Sequence, residues 1–295
     1  MNLLRPHAHR SSSNATGRPN MVINHATVRE KMDFLSFVRA CDSRGMSQIS
    51  VWEDEILKVG EVEALACLRD YGLAVFGFNR AGPLLATDPG DRRSLMDVAK
   101  KSVDRAVAFA ADHVLVFPGG LPVGSHNLPG ARRQSEDCIA ELLDHARQCG
   151  IRLALEPLHP MVAGDRSCIV TLTYANDICD RLGSGLGIVI DVYHVWWDDR
   201  LRAEIARAGA SDRILGFHVN DWLIPTRHLL RDRGMMGDGI IDLPSVWEMV
   251  EKAGYRGPIE VEIFSDDWWS RDPDTVLDVS IARCQEIFGA GEANR

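Results

Sequence analysis

Long hydrophobic runs are missing from this sequence. No segment reaches the roughly 18 consecutive apolar residues that a membrane-spanning helix needs, so no membrane span is expected. Basic residues are outnumbered, with 33 Lys and Arg against 42 Asp and Glu, and the net charge of -9 argues against a nucleic-acid backbone as the main partner. A small neutral or cationic molecule stays compatible with this charge.

Paired cysteine motifs are missing too. The seven cysteines are scattered without a CxxC pair, and their odd number favours free thiols in a reducing compartment, the cytoplasm. The first twenty residues contain no apolar stretch of the kind that a secretory signal requires. We therefore predict a disordered tail over residues 1–20, or a true start at Met21, followed by a single domain over residues 21–295.

The rest of the sequence alternates short apolar runs with longer amphipathic ones. Eight runs are predicted as strands: Val22–Ile23, Gln48–Trp52, Leu73–Phe78, Val114–Phe117, Arg152–Leu155, Leu186–Ile190, Ile214–Val219 and Ile259–Phe264. Eight segments are predicted as helices: Val28–Arg44, Glu61–Tyr71, Arg92–Ala111, Ala131–Gln148, Thr173–Leu182, Arg200–Ala208, Leu243–Ala253 and Thr275–Phe288. Eight strand–helix units in series close into a (β/α)8 TIM barrel. A doubly wound sheet is disfavoured because no GxGxxG fingerprint follows the first strand.

Ionisable residues stand where four consecutive apolar runs end. The fifth and sixth predicted strands lead into Glu156 and Asp191, and the seventh and eighth contain His218 and Glu262. Functional groups of such barrels collect at the carboxyl ends of the strands, and a carboxylate buried there needs a cation or strong donors. We therefore predict that the four side chains bind one divalent metal ion. Three carboxylates and an imidazole suit Mn²⁺, our first expectation, and also Mg²⁺, Co²⁺ or Zn²⁺.

Each of these residues also has an ordinary structural explanation when taken alone. Glu156 could pair with an arginine, Asp191 could cap a loop, and His218 could be a satisfied core histidine. Glu260 precedes Glu262 by two residues, and positions of equal parity share one face of a strand. Glu260 is expected to take the inward position in place of Glu262 only if the register is shifted.

Five segments carry a resemblance to a known family. They read LALEPLHP, VIDVYHVWWD, GFHVNDW, GMMGDGIIDLP and GPIEVEIF, and they lie within a stretch from Met21 to about Phe288 that resembles the xylose-isomerase-like barrel superfamily, also described as sugar phosphate isomerase/epimerase. The resemblance implies that the Glu, Asp, His and Glu at the four strand ends bind a single divalent metal.

The resemblance also implies a reaction. Ketose epimerases of this superfamily use the first and last metal glutamates as proton acceptor and donor, which are Glu156 and Glu262 here. They hold a substrate oxygen with a histidine three residues after the metal aspartate, which corresponds to His194. The implied activity is isomerisation or epimerisation of a keto or aldo sugar by proton abstraction next to a carbonyl that the metal polarises.

The sequence departs from those epimerases at one arginine. They usually carry Arg six residues beyond the metal histidine, where this chain has Ile224, and Arg227 or Arg233 is the expected substitute for binding substrate. Trp196 is expected to stack on a sugar face or an aromatic group of the substrate, with packing of its loop onto the barrel as the alternative.

Other outcomes of the same chemistry stay open. The HPM, YHVWWD and RGMMGDG segments are similar to large subunits of C-glycoside deglycosidases, lyases that cleave a carbon–carbon bond of a 3-keto glycoside and need a small partner subunit. In that alternative the general base is His126, His159 or His194, with His159 preferred. A keto-inositol-type dehydratase and a non-catalytic sugar-binding barrel are further alternatives, and a homo-oligomer is compatible with all of them. A DNA-repair endonuclease of the same fold is disfavoured, because the third and fourth strands end without the histidines of its three-metal cluster.

Overall fold

The computed structural model describes residues 19–289, so residues 1–18 of the predicted tail lie outside the described residues. Eight strands form its central sheet: β1 (Met21–Ile23), β2 (Gln48–Trp52), β3 (Ala74–Ala81), β4 (His113–Val116), β5 (Arg152–Leu155), β6 (Leu186–Asp191), β7 (Ile214–Val219) and β8 (Ile259–Val261). All pair in parallel, in the order β1-β8-β7-β6-β5-β4-β3-β2. A parallel bridge between Asn24 and Ser50 brings β1 beside β2, so the barrel is nearly closed and the predicted (β/α)8 fold is confirmed.

Helices connect and surround the strands. They are α1 (Phe34–Asp42), α2 (Glu53–Val59), α3 (Glu61–Tyr71), α4 (Pro89–Ala108), α5 (Leu128–Cys149), α6 (Leu172–Leu182), α7 (Val192–Val195), α8 (Leu201–Ala210), α9 (Leu243–Lys252), α10 (Asp266–Trp269) and α11 (Pro273–Phe288). Short 3-10 helices cover His25–Thr27 and Pro160–Val162, and an antiparallel pair joins Asp221–Trp222 to Arg233–Gly234. Within residues 19–289 we find no helix with the length and apolarity to cross a membrane.

The first helix is shorter than the predicted Val28–Arg44. It begins at Phe34 because the Asp33 carboxylate accepts a hydrogen bond from the backbone N–H of Ser36 at 2.8 Å and so caps the first turn. Helix α2 was missed at the sequence level, since seven residues with three acidic side chains in the first turn give too short an amphipathic pattern to recognise.

The ends of β3 and β8 differ most from the predicted strands, and both differences matter for the barrel mouth. Strand β3 continues to Ala81, which carries Arg80 to the carboxyl end of the barrel. Strand β8 ends at Val261, so Glu262 follows the strand instead of lying inside it. The parallel register sets both Asp191 and Glu260 beside His218.

The barrel interior below this mouth is closed by small and branched apolar side chains. Leu115, Ala154, Val189 and Leu215 form a buried cluster separate from the larger core between strands and helices. Such a packed layer leaves no pore through the barrel. Polar side chains therefore meet above it, at the carboxyl ends of the strands.

Candidate metal centre

The four residues predicted as metal ligands meet at one point. Their candidate ligand atoms all lie within 4.8 Å of one another, and every one of these residues is buried. Glu156 and Glu262 each follow a strand, Asp191 is the last residue of β6, and His218 is the penultimate residue of β7. The parallel sheet explains the meeting, because it brings the carboxyl ends of neighbouring strands to a common height.

His218 directs its Nδ1 atom into the centre. This atom lies 3.2 Å from Glu156 Oε1 and 3.7 Å from Glu262 Oε2. His218 Nδ1 and Glu156 Oε1 are both buried without a hydrogen bond of acceptable geometry among the described residues. Buried polar atoms rarely stay unpaired, and two of them facing one another between further carboxylates suit a bound cation.

The remaining carboxylates are each fixed through one oxygen. Asp191 Oδ1 accepts hydrogen bonds from the Tyr193 backbone N–H and the Asn220 amide, both at 2.9 Å. Glu262 Oε1 accepts from Asn24 Nδ2 at 2.9 Å. Each carboxylate therefore keeps its second oxygen directed at the centre, and the donor set of three carboxylates and one imidazole fits a divalent ion of the Mn²⁺, Mg²⁺, Co²⁺ or Zn²⁺ type.

Arg233 contacts these inward oxygens. Its Nη1 donates to Asp191 Oδ2 at 2.8 Å and to Glu262 Oε2 at 2.9 Å, and the side chain is buried. Of the two arginines proposed from the sequence, Arg233 is thus placed at the centre. Arg227 is not, because Asp232 and Asp267 hold its guanidinium on the surface of the loop.

His194 lies beside the same group. Its Nε2 is 3.2 Å from Arg233 Nη2 and 3.7 Å from Asp191 Oδ2, while its Nδ1 accepts from the His159 backbone N–H at 3.1 Å. Burial lowers the pKa of His194 to about 3, with Asp191 opposing the shift, so the ring is neutral at pH 7. Because Nδ1 is the acceptor nitrogen, Nε2 carries the proton of the neutral ring.

Three other sequence candidates lie outside the cavity above the centre. The His159 ring stacks on Trp222 with centroids 4.9 Å apart, and His126 is exposed in the loop before α5. Trp196 packs against Trp222 at 5.5 Å, which agrees with the alternative of loop packing. His159 and Trp196 thus pack against another aromatic ring and His126 faces solvent, and none of the three is among the residues that line the cavity.

Charges within the centre shift its pKa values in opposite directions. Burial raises the pKa of Glu156 to about 7, and His218 opposes this rise. Burial alone would lower the pKa of His218, but Glu260, Glu156 and Glu262 outweigh it and raise the value well above normal. Asp191 keeps a lowered pKa despite its burial, chiefly because of the Arg233 charge. The raised pKa values of Glu156 and His218 mean that these two groups hold protons more tightly than usual, and a bound cation would displace them.

Sequence reasoning missed several supporting side chains. Glu260 faces the barrel interior together with Glu262, without any register shift, and its carboxylate lies 3.3 Å from His218 Nε2. Asn24 donates to both glutamates. Two signals for these residues were present in the sequence. Glu260 and Glu262 occupy positions of equal parity, and the polar residue Asn24 directly follows β1.

A cavity of about 680 Å³ opens above the centre. It is bounded by Glu156, His194, Arg233 and Glu262 from the centre, and by aromatic rings that include Trp52, Phe264 and Trp269. Five arginines contribute to its lining, of which only Arg233 was predicted as a site residue; the others are Arg29, Arg80, Arg166 and Arg231. The volume and the mixture of aromatic and polar groups suit a small organic ligand.

Comparisons with known proteins agree with this architecture. A crystal structure of a protein from Sinorhizobium meliloti 1021 superimposes with a TM-score of 0.89 at 45% identity, covering 91% of this chain and 98% of that one. A structure of the IolI protein with a bound zinc atom has a TM-score of 0.79 at 18% identity, covering 92% of this chain and 98% of that one. The latter similarity supports the fold alone.

The relatives found by sequence indicate a broad class of enzymes. An inosose isomerase from Halalkalibacterium halodurans is 23% identical over 260 residues, which cover 83% of this chain and 88% of that protein. Further relatives are named as sugar epimerases, so the relatives belong to the sugar isomerases and epimerases. The family model described as xylose isomerase-like TIM barrel matches residues 35–286. Because this match spans most of the chain, the protein belongs to the xylose isomerase-like TIM barrel family.

Proposed function

We propose that this protein is a divalent-metal-dependent isomerase or epimerase that removes a proton next to the carbonyl of a keto or aldo sugar. The observation that carries the proposal is the buried set of Glu156, Asp191, His218 and Glu262 at the floor of a ligand-sized cavity. The sugar isomerases and epimerases among the relatives support the same class of reaction.

The four residues would hold the metal, with His218 contributing Nδ1. When bound, a divalent ion supplies positive charge that polarises a carbonyl oxygen and makes the neighbouring C–H more acidic. The protein contributes a rigid frame, since Asp191 and Glu262 are fixed by donors from Asn220 and Asn24. We propose Mn²⁺ as the resident ion, because oxygen donors predominate and one imidazole is present.

Glu156 and Glu262 would carry out the proton transfer. Glu156 and Glu262 both border the cavity, from the ends of β5 and β8, and each has an oxygen at the centre. One carboxylate would accept the proton and the other would return it, so that the configuration at the carbon changes. His194 Nε2–H and the Arg233 guanidinium border the same cavity and would donate hydrogen bonds to substrate oxygens.

The cavity wall is consistent with a sugar. Aromatic rings are supplied by Trp52, Phe264 and Trp269. Such rings pack against the apolar faces of sugars, while polar groups form hydrogen bonds with the sugar hydroxyls. An inosose and a ketohexose are therefore the first substrates to test.

Solvent exchange tests the proposed reaction without knowledge of the product. The Mn²⁺-loaded protein is incubated in D2O with scyllo-inosose, D-fructose or D-tagatose, and deuterium at the carbon next to the carbonyl is measured by NMR. Incorporation is expected for at least one substrate, and it should fall by about a hundredfold or more in Glu156→Gln and Glu262→Gln.

Glu204→Gln is the matched control. Glu204 is a buried glutamate of helix α8, outside the barrel of strands, and it pairs with Arg200 and Arg207. It should exchange deuterium at the parent rate. If the metal-loaded parent exchanges no deuterium with any ketose or inosose, or if both glutamine variants keep the parent rate, the proposed function is wrong.

A further inference from the structure

More arginines line the cavity than contact the proposed metal centre. Three of its five arginines already have acidic partners. These are Arg29, Arg231 and Arg233, whose partners are Asp54, Asp266 and Glu262. Of the other acidic residues that border the cavity, Glu156 belongs to the metal centre and Glu30 is exposed.

Arg80 and Arg166 are the two remaining arginines. Across residues 19–289, neither guanidinium has an ion pair or a hydrogen bond to an acidic residue. Arg80 stands near the end of β3 and Arg166 in the loop between β5 and α6, so they reach the same cavity from two different segments of the chain. Two like charges beside one cavity repel each other, and an anion between them would offset this repulsion.

The surroundings of Arg80 also favour an anion between the two arginines. Its guanidinium stacks over the Phe117 ring at 5.4 Å, which holds the planar group against the wall of the cavity. Burial lowers the pKa of Arg80 and the charge of Arg166 lowers it further, while the more distant charges of Asp54 and Glu156 partly oppose the shift. A partly buried cation without a direct acidic partner is costly, and such an arrangement is typical of a site that receives an anion.

We propose that Arg80 and Arg166 form an anion-binding subsite, which takes the carboxylate or phosphate group of a sugar whose carbonyl end faces the metal centre. The subsite rests on the proposed function for the orientation of the sugar, but anion binding itself does not need the metal. The end of β3 and the loop between β5 and α6 thus select acidic or phosphorylated sugars over neutral ones.

Three ketoses that differ at one end test the selection. D-fructose, D-fructose 6-phosphate and D-fructuronate are titrated calorimetrically into the Mn²⁺-loaded protein. The parent should bind at least one of the two anionic sugars about tenfold or more tightly than D-fructose, and the stronger of them identifies phosphate or carboxylate as the preferred group. This advantage should disappear in Arg80→Gln and Arg166→Gln.

Arg133→Gln is the control, since Arg133 is exposed on α5 away from the cavity, and it should keep the anionic advantage. Arg166 is exposed, so its variant tests the subsite even if Arg80→Gln fails to fold. Equal affinity for all three ketoses, or an anionic advantage that survives in both cavity variants, overturns the proposal.

Inorganic phosphate separates this subsite from the metal centre. Chelator-treated protein should still bind phosphate saturably, and about tenfold more weakly in Arg166→Gln. Phosphate binding without any metal effect on deuterium exchange would retain the subsite and reject the proposed reaction. Absence of saturable phosphate binding in the metal-free parent overturns the subsite while leaving the proposed reaction intact.

Discussion

Glu260 Oε2 lies 3.3 Å from His218 Nε2, on the side of the imidazole that faces away from Glu156. The same carboxylate accepts a hydrogen bond from Asn24 Nδ2 at 2.8 Å and keeps a lowered pKa despite burial, because of the His218 charge. A carboxylate behind a metal-binding histidine fixes the ring orientation and the tautomer. We therefore expect Glu260 to hold the Nε2 proton on its own side and to leave Nδ1 for a metal.

Replacing this carboxylate should weaken metal binding. Glu260→Gln keeps the size of the side chain but removes its charge, and the affinity for Mn²⁺ should fall about tenfold or more. Competition with a fluorescent chelator measures the change. Glu204→Gln, at a buried glutamate outside the barrel mouth, should bind Mn²⁺ like the parent. An unchanged affinity in Glu260→Gln would show that Glu260 does not support the ligand.

Metal binding should also raise thermal stability. An ion that binds only the folded chain at a hundred times its dissociation constant adds about 2.7 kcal/mol, and for a domain of this size that raises Tm by about 5 °C or more. Differential scanning calorimetry with Mn²⁺ and with chelator measures the difference.

The variant Glu156→Gln/His218→Ala removes two of the four ligands and should abolish the difference in Tm. Element analysis by mass spectrometry of the purified parent and this variant gives an independent readout. A shift in Tm of equal size in both proteins would mean that the ion binds elsewhere.

Arg233 should matter through its shape as well as its charge. Arg233→Lys keeps a cation but loses the planar guanidinium, whose Nη1 donates to Asp191 and Glu262 while Nη2 lies 3.2 Å from His194 Nε2. We expect deuterium exchange at saturating substrate to slow by about a hundredfold, with folding retained.

The matched control is Arg227→Lys in the same loop, where the guanidinium pairs with Asp232 and Asp267 outside the cavity. It should leave the rate within about threefold, because Arg227 lies outside the cavity and lysine keeps its positive charge beside Asp232 and Asp267. Equal losses in the two variants would point to a general effect on the loop instead of a contact with substrate.

Asp221 should be the main structural support of the loop that carries Arg233. Its buried carboxylate accepts hydrogen bonds of 2.8–3.0 Å from four backbone N–H groups, those of Trp222, Gly237, Gly239 and Ile241. Asp221→Ala leaves buried donors unpaired, so the free energy of unfolding should fall by about 3 kcal/mol or more. Urea denaturation measures it.

Asp242→Ala provides the comparison, because Asp242 caps α9 from an exposed position and its removal should cost only about 1 kcal/mol. A loss of similar size in both variants would mean that the buried carboxylate supports no more than an ordinary helix cap does.

The strands and the four residues proposed as metal ligands could be predicted from the sequence because both follow from local patterns. Apolar runs that end in Glu156 or Asp191 identify buried strands, and parallel pairing then brings the strand ends together whatever the loops do. The alternation of side chains along a strand likewise predicted that Glu262 points inward. It applies equally to Glu260, but the contact of Glu260 with His218 is shown only by the register between β7 and β8.

Loop residues were harder to assign, since no periodic pattern fixes where a loop side chain points. Arg227 and Arg233 are six residues apart in one loop, yet only Arg233 reaches the centre, because Asp232 and Asp267 hold Arg227 outside. His159 follows the ligand Glu156 by three residues, but its ring stacks on Trp222, a residue of another loop.

The sequence by itself thus determined the barrel and the convergence of the four side chains proposed as metal ligands, since strand periodicity and parallel pairing suffice for both. Only the tertiary structure decided which arginines meet the cavity. The direction of Arg233, and the two unpaired charges at Arg80 and Arg166, depend on contacts between segments far apart in the chain. Such contacts arise from the packing of loops against one another, which no short stretch of sequence encodes.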